Sequence, residues 1–419
     1  MGAPEPQGSR SCSGCSCSRQ DSYDVLIVGG GVAGIAAAYA LAQDAPHLRV
    51  AVLEKDTCAH SKSSSYGDSR MYRRMYSVEY FSLMQSEALK LWQALERRSG
   101  RKLLYQHGLL FYGETDTGET VQGSVPNAKA VMEKLNIPHT YFPSAHQLNG
   151  KWPMRAPEGS VGVFEPGAGS VHASLAVELM KRYAEEGGVQ VLTGVEVTHI
   201  SVPLPSQVCV RTKAGRQLTA KRVILAVGAW TNDLLAHVNV RLNLEIWNMH
   251  WGHYYVDPQL RAQYPQWYCF GKGRPATWDG GLFYGFAAEN SEPMVKVGVD
   301  FAPDLPLFRT SSMADFRWEP HPIICKLLDD FLKQHWRGFQ GPKKMFCSPY
   351  TMTSDCYFVL DRVPHHPEIC VFTGGSGRAF KFAPLLGRCL ADLALDRQPS
   401  YDITPLKMTR EAVWLRSKL

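Results

Sequence analysis

The sequence contains no apolar run of the roughly 18 residues that a membrane-spanning helix requires. It also has no long block of basic residues, and its net charge, 45 − 39 = +6, is small for 419 residues. Neither a membrane nor a nucleic acid is therefore an expected partner. The charge does not exclude a local pocket that attracts anions.

Signs of a disulfide framework or a metal site are also missing. The 11 cysteines are scattered, and no basic segment followed by an apolar one stands at the start of the chain. We expect free thiols in a reducing compartment, and neither a disulfide framework nor a metal site. The Ser- and Gly-rich residues 1–20 carry "CSGCSC" without a second metal-ligand pair nearby, and we interpret them as a disordered tail.

The strongest local pattern is the start of a nucleotide-binding unit. The apolar run "DVLIV" leads into Gly29, Gly31 and Gly34, which form G-x-G-x-x-G, and then into the helical pattern "IAAAYALAQ". The first glycine allows the tight turn, the second lets a pyrophosphate approach the backbone, and the third lets helix and strand pack closely. Glu54 ends the next strand, 54 − 34 = 20 residues later, where an acid accepts hydrogen bonds from a ribose.

The layout of the chain predicts an α/β fold with two intertwined domains. Strand patterns near residues 190–230 and 370 return to the first sheet, while the segments between them alternate as antiparallel strands do. We predict a Rossmann-like FAD-binding domain from residues 21–102, 160–236 and 348–405. An antiparallel-sheet substrate domain comes from residues 103–159 and 237–347, and residues 406–419 form a C-terminal tail. The fingerprint alone does not separate NAD from FAD, but this layout favours FAD.

Four motifs in order carry a resemblance to the monomeric sarcosine oxidase and pipecolate oxidase family of flavoenzymes. The family patterns SxHGDTRIIRxAY, GxWN, CMYTxTxDxxFIID and GFSGHGFKF correspond to "SSYGDSRMYRRMY", "GAWTN", "CSPYTMTSDCYFVLD" and "GGSGRAFKF". The resemblance covers nearly the whole chain from Tyr23. It implies oxidation of a carboxylate-bearing amine by FAD, with O2 reduced to H2O2, in a monomer.

The resemblance also implies roles for individual residues. Arg73 and Lys381 match the pair that binds the substrate carboxylate, Arg70 matches the arginine beside the flavin ring, and Lys296 matches the lysine that promotes reaction with oxygen. These cations would also favour the neutral amine, the form that has a lone pair. The cofactor-binding residues are expected to be Gly29, Gly31, Val32, Ala33, Gly34, Glu54, Lys55, Ser65, Arg70, Val197, Gly228, Trp230, Cys347, Ser348, Gly375, Ser376, Gly377, Arg378 and Lys381.

Several positions depart from the family pattern. Tyr66 and Asp300 replace two histidines, and a carboxylate at residue 300 suggests a substrate with a second, cationic group. Ser348 stands where the flavin-linking cysteine would be, with Cys347 one residue earlier. Neighbours on a strand point to opposite faces, so Cys347 could reach the flavin only if Pro349 shifted the register. Covalent attachment is left open.

Three hypotheses remain at this stage. The first is an oxidase of a secondary or N-substituted amino acid, the second a flavin dehydrogenase with another electron acceptor, and the third a flavin-binding protein without oxidase activity. The last three residues, Ser417-Lys418-Leu419, form a peroxisomal address read by an import receptor, which fits an enzyme that makes peroxide.

Overall fold

The computed structural model describes residues 21–115, 119–271, 281–288, 294–301 and 309–415. The predicted tail 1–20 and the predicted targeting residues Ser417–Leu419 lie outside the described residues. The helices are α1 Val32–Asp44, α2 Glu79–Ser99, α3 Val125–Lys134, α4 Ala145–Lys151, α5 Ala173–Glu186, α6 Thr231–Leu235, α7 Pro322–His335 and α8 Ala383–Ala394. The strands are β1 Ser22–Val28, β2 Val50–Leu53, β3 Ser69–Tyr72, β4 Leu104–Tyr105, β5 Leu109–Glu114, β6 Thr140–Phe142, β7 Ser160–Glu165, β8 Gly169–His172, β9 Gln190–Leu192, β10 Val197–Leu204, β11 Gln207–Thr212, β12 Gln217–Leu225, β13 Glu245–Val256, β14 Gln266–Phe270, β15 Leu282–Gly285, β16 Met294–Phe301, β17 Arg309–Thr310, β18 Phe339–Met352, β19 Val359–Val363 and β20 His366–Thr373.

The first sheet contains a parallel core in the order β9-β2-β1-β12-β20. The β10–β11 hairpin pairs with the first half of β12, and β19 runs antiparallel to β20. As predicted, the last third of the chain returns to this sheet, because β20 pairs with β12. The α/β Rossmann-like fold class is confirmed.

Helices α1, α5 and α8 cover one face of this sheet. The alanine-rich α1 packs closely against α8: a Cβ on Gly387 of α8 would lie 2.4 Å from the backbone of Ala36. At the other side of α1, a Cβ on Gly34 would lie 2.0 Å from the Gly29 carbonyl oxygen. Small side chains therefore bring the start of α1 against the sheet.

The second sheet has the order β17-β13-β16-β15-β14-β5-β7-β6, with β18 on the other side of β13. Its pairs are antiparallel except β5 with β14, which run parallel and join the two separate excursions of the chain. The predicted domain boundaries at 159/160 and 347/348 assigned β7 and the end of β18 to the FAD-binding domain. In the structure, β7 and all of β18 are strands of this second sheet. Helix α7 buries Ile324, Leu328 and Phe331 against the apolar cluster of this sheet.

A small sheet of β3, β8 and β4 contains the arginine-rich stretch. Arg70 lies within β3, and Arg73 and Arg74 follow it. The side chain of Arg74 pairs with the buried carboxylate of Glu165, with 3.3 Å between Nε and Oε1. The Arg74 side chain is thus paired with a carboxylate of the protein. The side chains of Arg70 and Arg73 point away from Glu165 and contact other groups. Among the helices of the described residues, none is both long and apolar enough to cross a bilayer.

Candidate functional site

Two adjoining cavities open at the carboxyl ends of the parallel strands, which is where open α/β sheets bind ligands. The nucleotide cavity lies around the ends of β1 and β2. The central cavity lies between the two large sheets. They adjoin each other, because both are lined by Gly31, Ser64, Ser65, Ala226 and Gly228.

The glycine turn lies where the cavities meet. Gly29 adopts φ +106°, and a Cβ there would lie 2.5 Å from the Ala226 carbonyl oxygen. A Cβ on Gly31 would meet only Ser65 Oγ within 4 Å, at 3.3 Å, and Gly31 lines both cavities. The Val32 amide, first in α1, donates to that same Ser65 oxygen at 3.0 Å. An anion can therefore approach the positive end of α1 closely.

Charged and aromatic side chains surround the nucleotide cavity. The buried Glu54 carboxylate accepts hydrogen bonds from the amides of Gly30 at 2.6 Å and Asp56 at 2.9 Å. The Lys55 ammonium lies 3.1 Å from the centre of the Trp230 ring, and burial lowers the pKa of this lysine. All the predicted residues of this region line the cavity: Gly29, Gly31, Glu54, Lys55, Ser65, Val197, Gly228 and Trp230.

Four cationic side chains line the central cavity, namely Arg70, Lys296, Arg378 and Lys381, and no carboxylate is among its described wall residues. The Arg70 guanidinium donates to the carbonyl oxygens of Ser64, Tyr66 and Ser69. Burial lowers the pKa of both Arg70 and Lys381. For Lys381 the positive charges of Arg73 and Arg378 lower the pKa further.

Lys296 extends from β16 between aromatic rings. Its ammonium lies 4.4 Å from the ring centre of Trp251 and 5.0 Å from that of Phe286. It donates to the Ser69 carbonyl oxygen at 3.3 Å. Lys296 also borders a third cavity, which contains Tyr66 and Phe346. The lysine therefore lies in the partition between the central cavity and a neighbouring one.

Arg73 and Asp300 lie behind the wall of the central cavity and are not among its wall residues. Arg73 is fully buried, with its guanidinium 5.1 Å from the ring centre of Tyr268, a wall residue. Burial raises the pKa of Asp300 to about 6, against the opposing effects of Gln122, Arg73 and Lys381. Asp300 therefore faces cations of the protein itself. This does not support the prediction that its carboxylate meets a cationic group of the substrate.

Three more predicted residues lie away from the two main cavities. Gly34 serves helix packing, Tyr66 borders the third cavity, and Cys347 points to the other face of β18. The Cys347 thiol donates to the Arg317 carbonyl oxygen at 3.4 Å, and burial raises its pKa to about 12. The structure therefore does not place Cys347 in the wall of the cavity where we expect the flavin ring. Ser348 lines the central cavity and accepts a hydrogen bond from Trp251 Nε1 at 3.1 Å.

The remaining predicted residues line the central cavity together: Val32, Ala33, Gly375, Ser376, Gly377 and Arg378. Sequence reasoning missed most of the aromatic part of the wall, which includes Trp251, Tyr268, Tyr284, Phe286 and Tyr350. The density of aromatics in the segments that became β13, β14 and β15 was the available signal. It could not show which rings face the cavity.

The residues present fit a dinucleotide with a redox-active ring. The glycine turn and the start of α1 suit a pyrophosphate, Glu54 suits a ribose, and the central cavity is wide, aromatic and cationic. In the part of the chain that the structure describes, no group of three or more His, Cys, Asp or Glu side chains is placed to hold a metal ion.

Comparison with known proteins agrees with this geometry. The model of the family described as FAD dependent oxidoreductase matches residues 24–393. Human peroxisomal sarcosine oxidase is 27% identical over 405 residues, which cover 94% of this chain and 97% of that protein. Monomeric sarcosine oxidase from a Bacillus species is 28% identical, with 93% and 97% covered.

Among solved structures, the open form of NikD, described as an unusual amino acid oxidase essential for nikkomycin biosynthesis, superposes with a TM-score of 0.83. It is 28% identical, and the alignment covers 92% of this chain and 97% of NikD. The resemblance predicted from the four sequence motifs is therefore confirmed.

Proposed function

The chain belongs to the family of FAD-dependent oxidoreductases, and on this basis we propose that it oxidises the C–N bond of a secondary or N-substituted amino acid. The amine becomes an imine by loss of two electrons and two protons, and O2 takes them up as H2O2. The human and Bacillus relatives are named as sarcosine oxidases, and NikD as an amino acid oxidase. These names support the substrate class without specifying its side chain.

One observation carries the proposal. The central cavity combines aromatic rings with four cationic side chains, and its described wall residues include no carboxylate. Such a wall attracts a carboxylate and disfavours an ammonium. It therefore selects an amino acid in the form whose nitrogen is neutral and has a lone pair. A cavity for a plain cationic amine would need the opposite charge.

FAD, when bound, supplies the two-electron acceptor that links amine oxidation to reduction of O2. The protein would hold it with the glycine turn, the start of α1 and Glu54 in the nucleotide cavity, and with the wall of the central cavity around its ring. Lys381 lies at the cavity surface, where its amino group can donate to the substrate carboxylate, and Arg73 adds positive charge one layer behind.

Lys296 is the residue we assign to the oxygen reaction. Its charge is held between Trp251 and Phe286, in surroundings where charge–charge interactions are stronger than in water. A fixed cation there stabilises negative charge that develops on oxygen, as preorganised donors do in an oxyanion site. Its position in the partition between two cavities separates this role from carboxylate binding.

The deciding experiment is an anaerobic titration of the yellow holoprotein. N-methyl amino acids, cyclic imino acids and N-substituted diamino acids are added in turn, each beside the matching amine without its carboxylate. We expect one carboxylated class to bleach the flavin, its decarboxylated partner not to, and air to restore the colour with one H2O2 per flavin.

The other outcomes distinguish the alternatives. Bleaching without recovery in air, but with recovery by an artificial acceptor, would indicate a dehydrogenase. Bound FAD that no amine bleaches would indicate a flavin-binding protein without this chemistry. Equal bleaching by the decarboxylated amines would contradict the role that we give to the cationic wall.

We further propose that the protein is a peroxisomal monomer. The C-terminal Ser417-Lys418-Leu419 and the peroxisomal names of the human and mouse relatives support this location. The Bacillus relative, which is named as monomeric, supports the oligomeric state.

A further inference from the structure

A single arginine lies at the boundary between the central cavity and a further cavity at the protein surface. This outer cavity lies between the start of α2, the turn at residues 119–123 and the segment 354–357. Its wall residues Glu119 and Ser354 are exposed, so the cavity opens to solvent. Among the described residues, Arg378 is the one that lines both the outer and the central cavity. A ligand that extends from the central cavity toward the outer one therefore meets Arg378.

The Arg378 guanidinium is held by neutral groups of the outer cavity. Nη2 donates to the Val121 carbonyl oxygen, and the guanidinium carbon lies 5.2 Å from the centre of the Phe81 ring. Nε is buried and has no hydrogen-bond partner among the described residues. The buried hydroxyl of Tyr76, which lines the same cavity, has none among them either. Both groups can donate, so this wall has donors that the protein leaves unused.

The two carboxylates in the wall of the outer cavity are engaged elsewhere. Asp355 pairs with Arg410, with 2.6 Å between Oδ2 and Nε. Glu119 accepts a hydrogen bond from the Ser124 hydroxyl at 2.7 Å. Neither of these described carboxylates forms an ion pair with Arg378. Because a buried charge without a counter-ion is costly, an anionic group of a ligand would be favoured beside it.

A third carboxylate, that of Asp300, lies behind the wall and offsets only part of the positive charge. It interacts with Arg73 and Lys381 as well as with Arg378, so its one negative charge is divided among several basic groups. The boundary between the central and outer cavities can therefore accept a further anion.

The chemistry that we propose leaves Arg378 unused. Lys381 can donate to the substrate carboxylate, Lys296 is assigned to the oxygen reaction, and the Arg70 guanidinium donates to three backbone carbonyl oxygens. Arg378 also occupies the position at which the family pattern GFSGHGFKF has a histidine. It is thus an additional cation that the family pattern does not require.

Lys381 and Arg378 lie in the same turn. The Lys381 amino group donates to the Arg378 carbonyl oxygen at 3.4 Å. A substrate carboxylate bound by Lys381 therefore lies beside the turn that carries Arg378. From there the side chain of the substrate can extend toward the outer cavity.

We propose that Arg378 is a specificity-determining residue that binds a second carboxylate, at the end of the substrate side chain. The inference rests on the proposed function and narrows its substrate class to N-substituted dicarboxylic amino acids. A neutral side chain of the same length leaves the guanidinium without a counter-ion, and a cationic one is repelled. Arg378 selects the substrate in this way and takes no part in the oxidation itself.

The test compares substrates on the FAD-loaded protein without air. N-methylglutamate carries a second carboxylate, N-methylglutamine has an amide of the same shape, and N-methylalanine has neither. For each substrate, the rate constant of flavin bleaching is divided by the dissociation constant. The variants are Arg378→Met, which removes the charge but keeps a long side chain, and Arg378→Lys, which keeps the charge.

We expect the wild type to prefer N-methylglutamate over N-methylglutamine by about 10- to 100-fold. Arg378→Met should bring this ratio close to one, and Arg378→Lys should retain most of it. Bleaching by N-methylalanine should change much less. Should Arg378→Met fail to fold, Arg378→Gln keeps a donor for the Val121 carbonyl oxygen and gives the same test.

Arg98→Met is the matched control. The Arg98 guanidinium also stacks on an aromatic ring, 4.1 Å from the centre of Tyr183, but Arg98 is not among the described wall residues of either cavity. This variant loses the same charge and should keep the wild-type ratio.

Three results would overturn the inference: no bleaching of the wild type by N-methylglutamate, a wild-type ratio near one, or an unchanged ratio in folded Arg378→Met. Bleaching by N-methylalanine or by a cyclic imino acid would in each case leave the proposed function standing. If no amine bleaches the flavin, the proposed function fails, and this inference fails with it.

Discussion

Cys347 and Ser348 are consecutive residues of β18 whose side chains leave the strand on opposite faces. Ser348 lines the central cavity, while the Cys347 thiol bonds to the Arg317 carbonyl oxygen behind it. The pairing of β18 with β13 continues in regular register through Pro349, so no bulge turns the thiol inward. In addition, none of the described wall residues of this cavity is a cysteine.

The first prediction follows directly: FAD is held without a covalent bond. Acid precipitation of the holoprotein should release all of the flavin into the supernatant, and Cys347→Ala should bind as much FAD as the wild type. Yellow, fluorescent protein in the washed pellet would contradict this, and its loss in Cys347→Ala would identify the thiol responsible.

The second prediction separates two glycines of one motif. Gly31→Val should fold but lose FAD affinity by at least about 100-fold, because its side chain enters the open space where the pyrophosphate would lie. Gly34→Ala should destabilise the protein even without FAD, since its Cβ would lie 2.0 Å from the Gly29 carbonyl oxygen. Thermal unfolding of the apoproteins and FAD titration together check both. Full FAD binding by Gly31→Val would contradict the pyrophosphate site that we expect beside Gly31.

The third prediction concerns Lys296. Lys296→Met should slow the reaction of the reduced protein with O2 by about 100-fold or more, while bleaching by the substrate changes only a few-fold. Lys344→Met is the matched control, because that ammonium lies over the Phe346 ring in the neighbouring third cavity. Stopped-flow measurement of both half-reactions distinguishes them. Equal reoxidation rates in all three proteins would reject the assignment.

The fourth prediction is a pH dependence from Asp300. Burial raises its pKa from 3.8 to about 6, so the folded protein binds this proton more tightly than the unfolded chain. The resulting stabilisation is complete below about pH 4 and disappears as the pH rises through 6, a loss of up to about 3 kcal/mol in the free energy of unfolding.

Asp300→Asn should remove that part of the pH dependence. Urea unfolding of the holoproteins at several values from about pH 4 to pH 7 would show a smaller decline in the variant. The comparison concerns the slope with pH and not the absolute stability, since the variant also leaves Arg73 and Lys381 without a neighbouring anion. Identical slopes would show that Asp300 does not titrate in this range.

The fifth prediction addresses location. A fluorescent fusion that keeps Ser417-Lys418-Leu419 at its C-terminus should accumulate in peroxisomes, and deletion of these three residues should leave it in the cytosol. A variant in which the last residue is changed, Leu419→Ala, is the control for tail length. Peroxisomal accumulation of the deleted form would show that these residues are incidental.

The sequence by itself determined the nucleotide-binding half of the protein. The strand, the glycine turn and the helix are contiguous, so their geometry depends on local backbone sterics and on close packing that neighbouring residues specify. The alternation of a strand likewise placed Cys347 and Ser348 on opposite faces before any fold was known. Four ordered motifs then extended the assignment to the family.

Only the tertiary structure determined how deep each charged residue lies. Lys296 and Asp300 both lie in β16, yet Lys296 lines the central cavity, while Asp300, at an irregularity in the pairing with β15, is not among its wall residues. The parallel pairing of β5 with β14 could not be predicted from local patterns either, because it joins segments that are far apart in sequence. Local patterns specify which way a side chain leaves its own element, but packing between distant elements decides what it meets there.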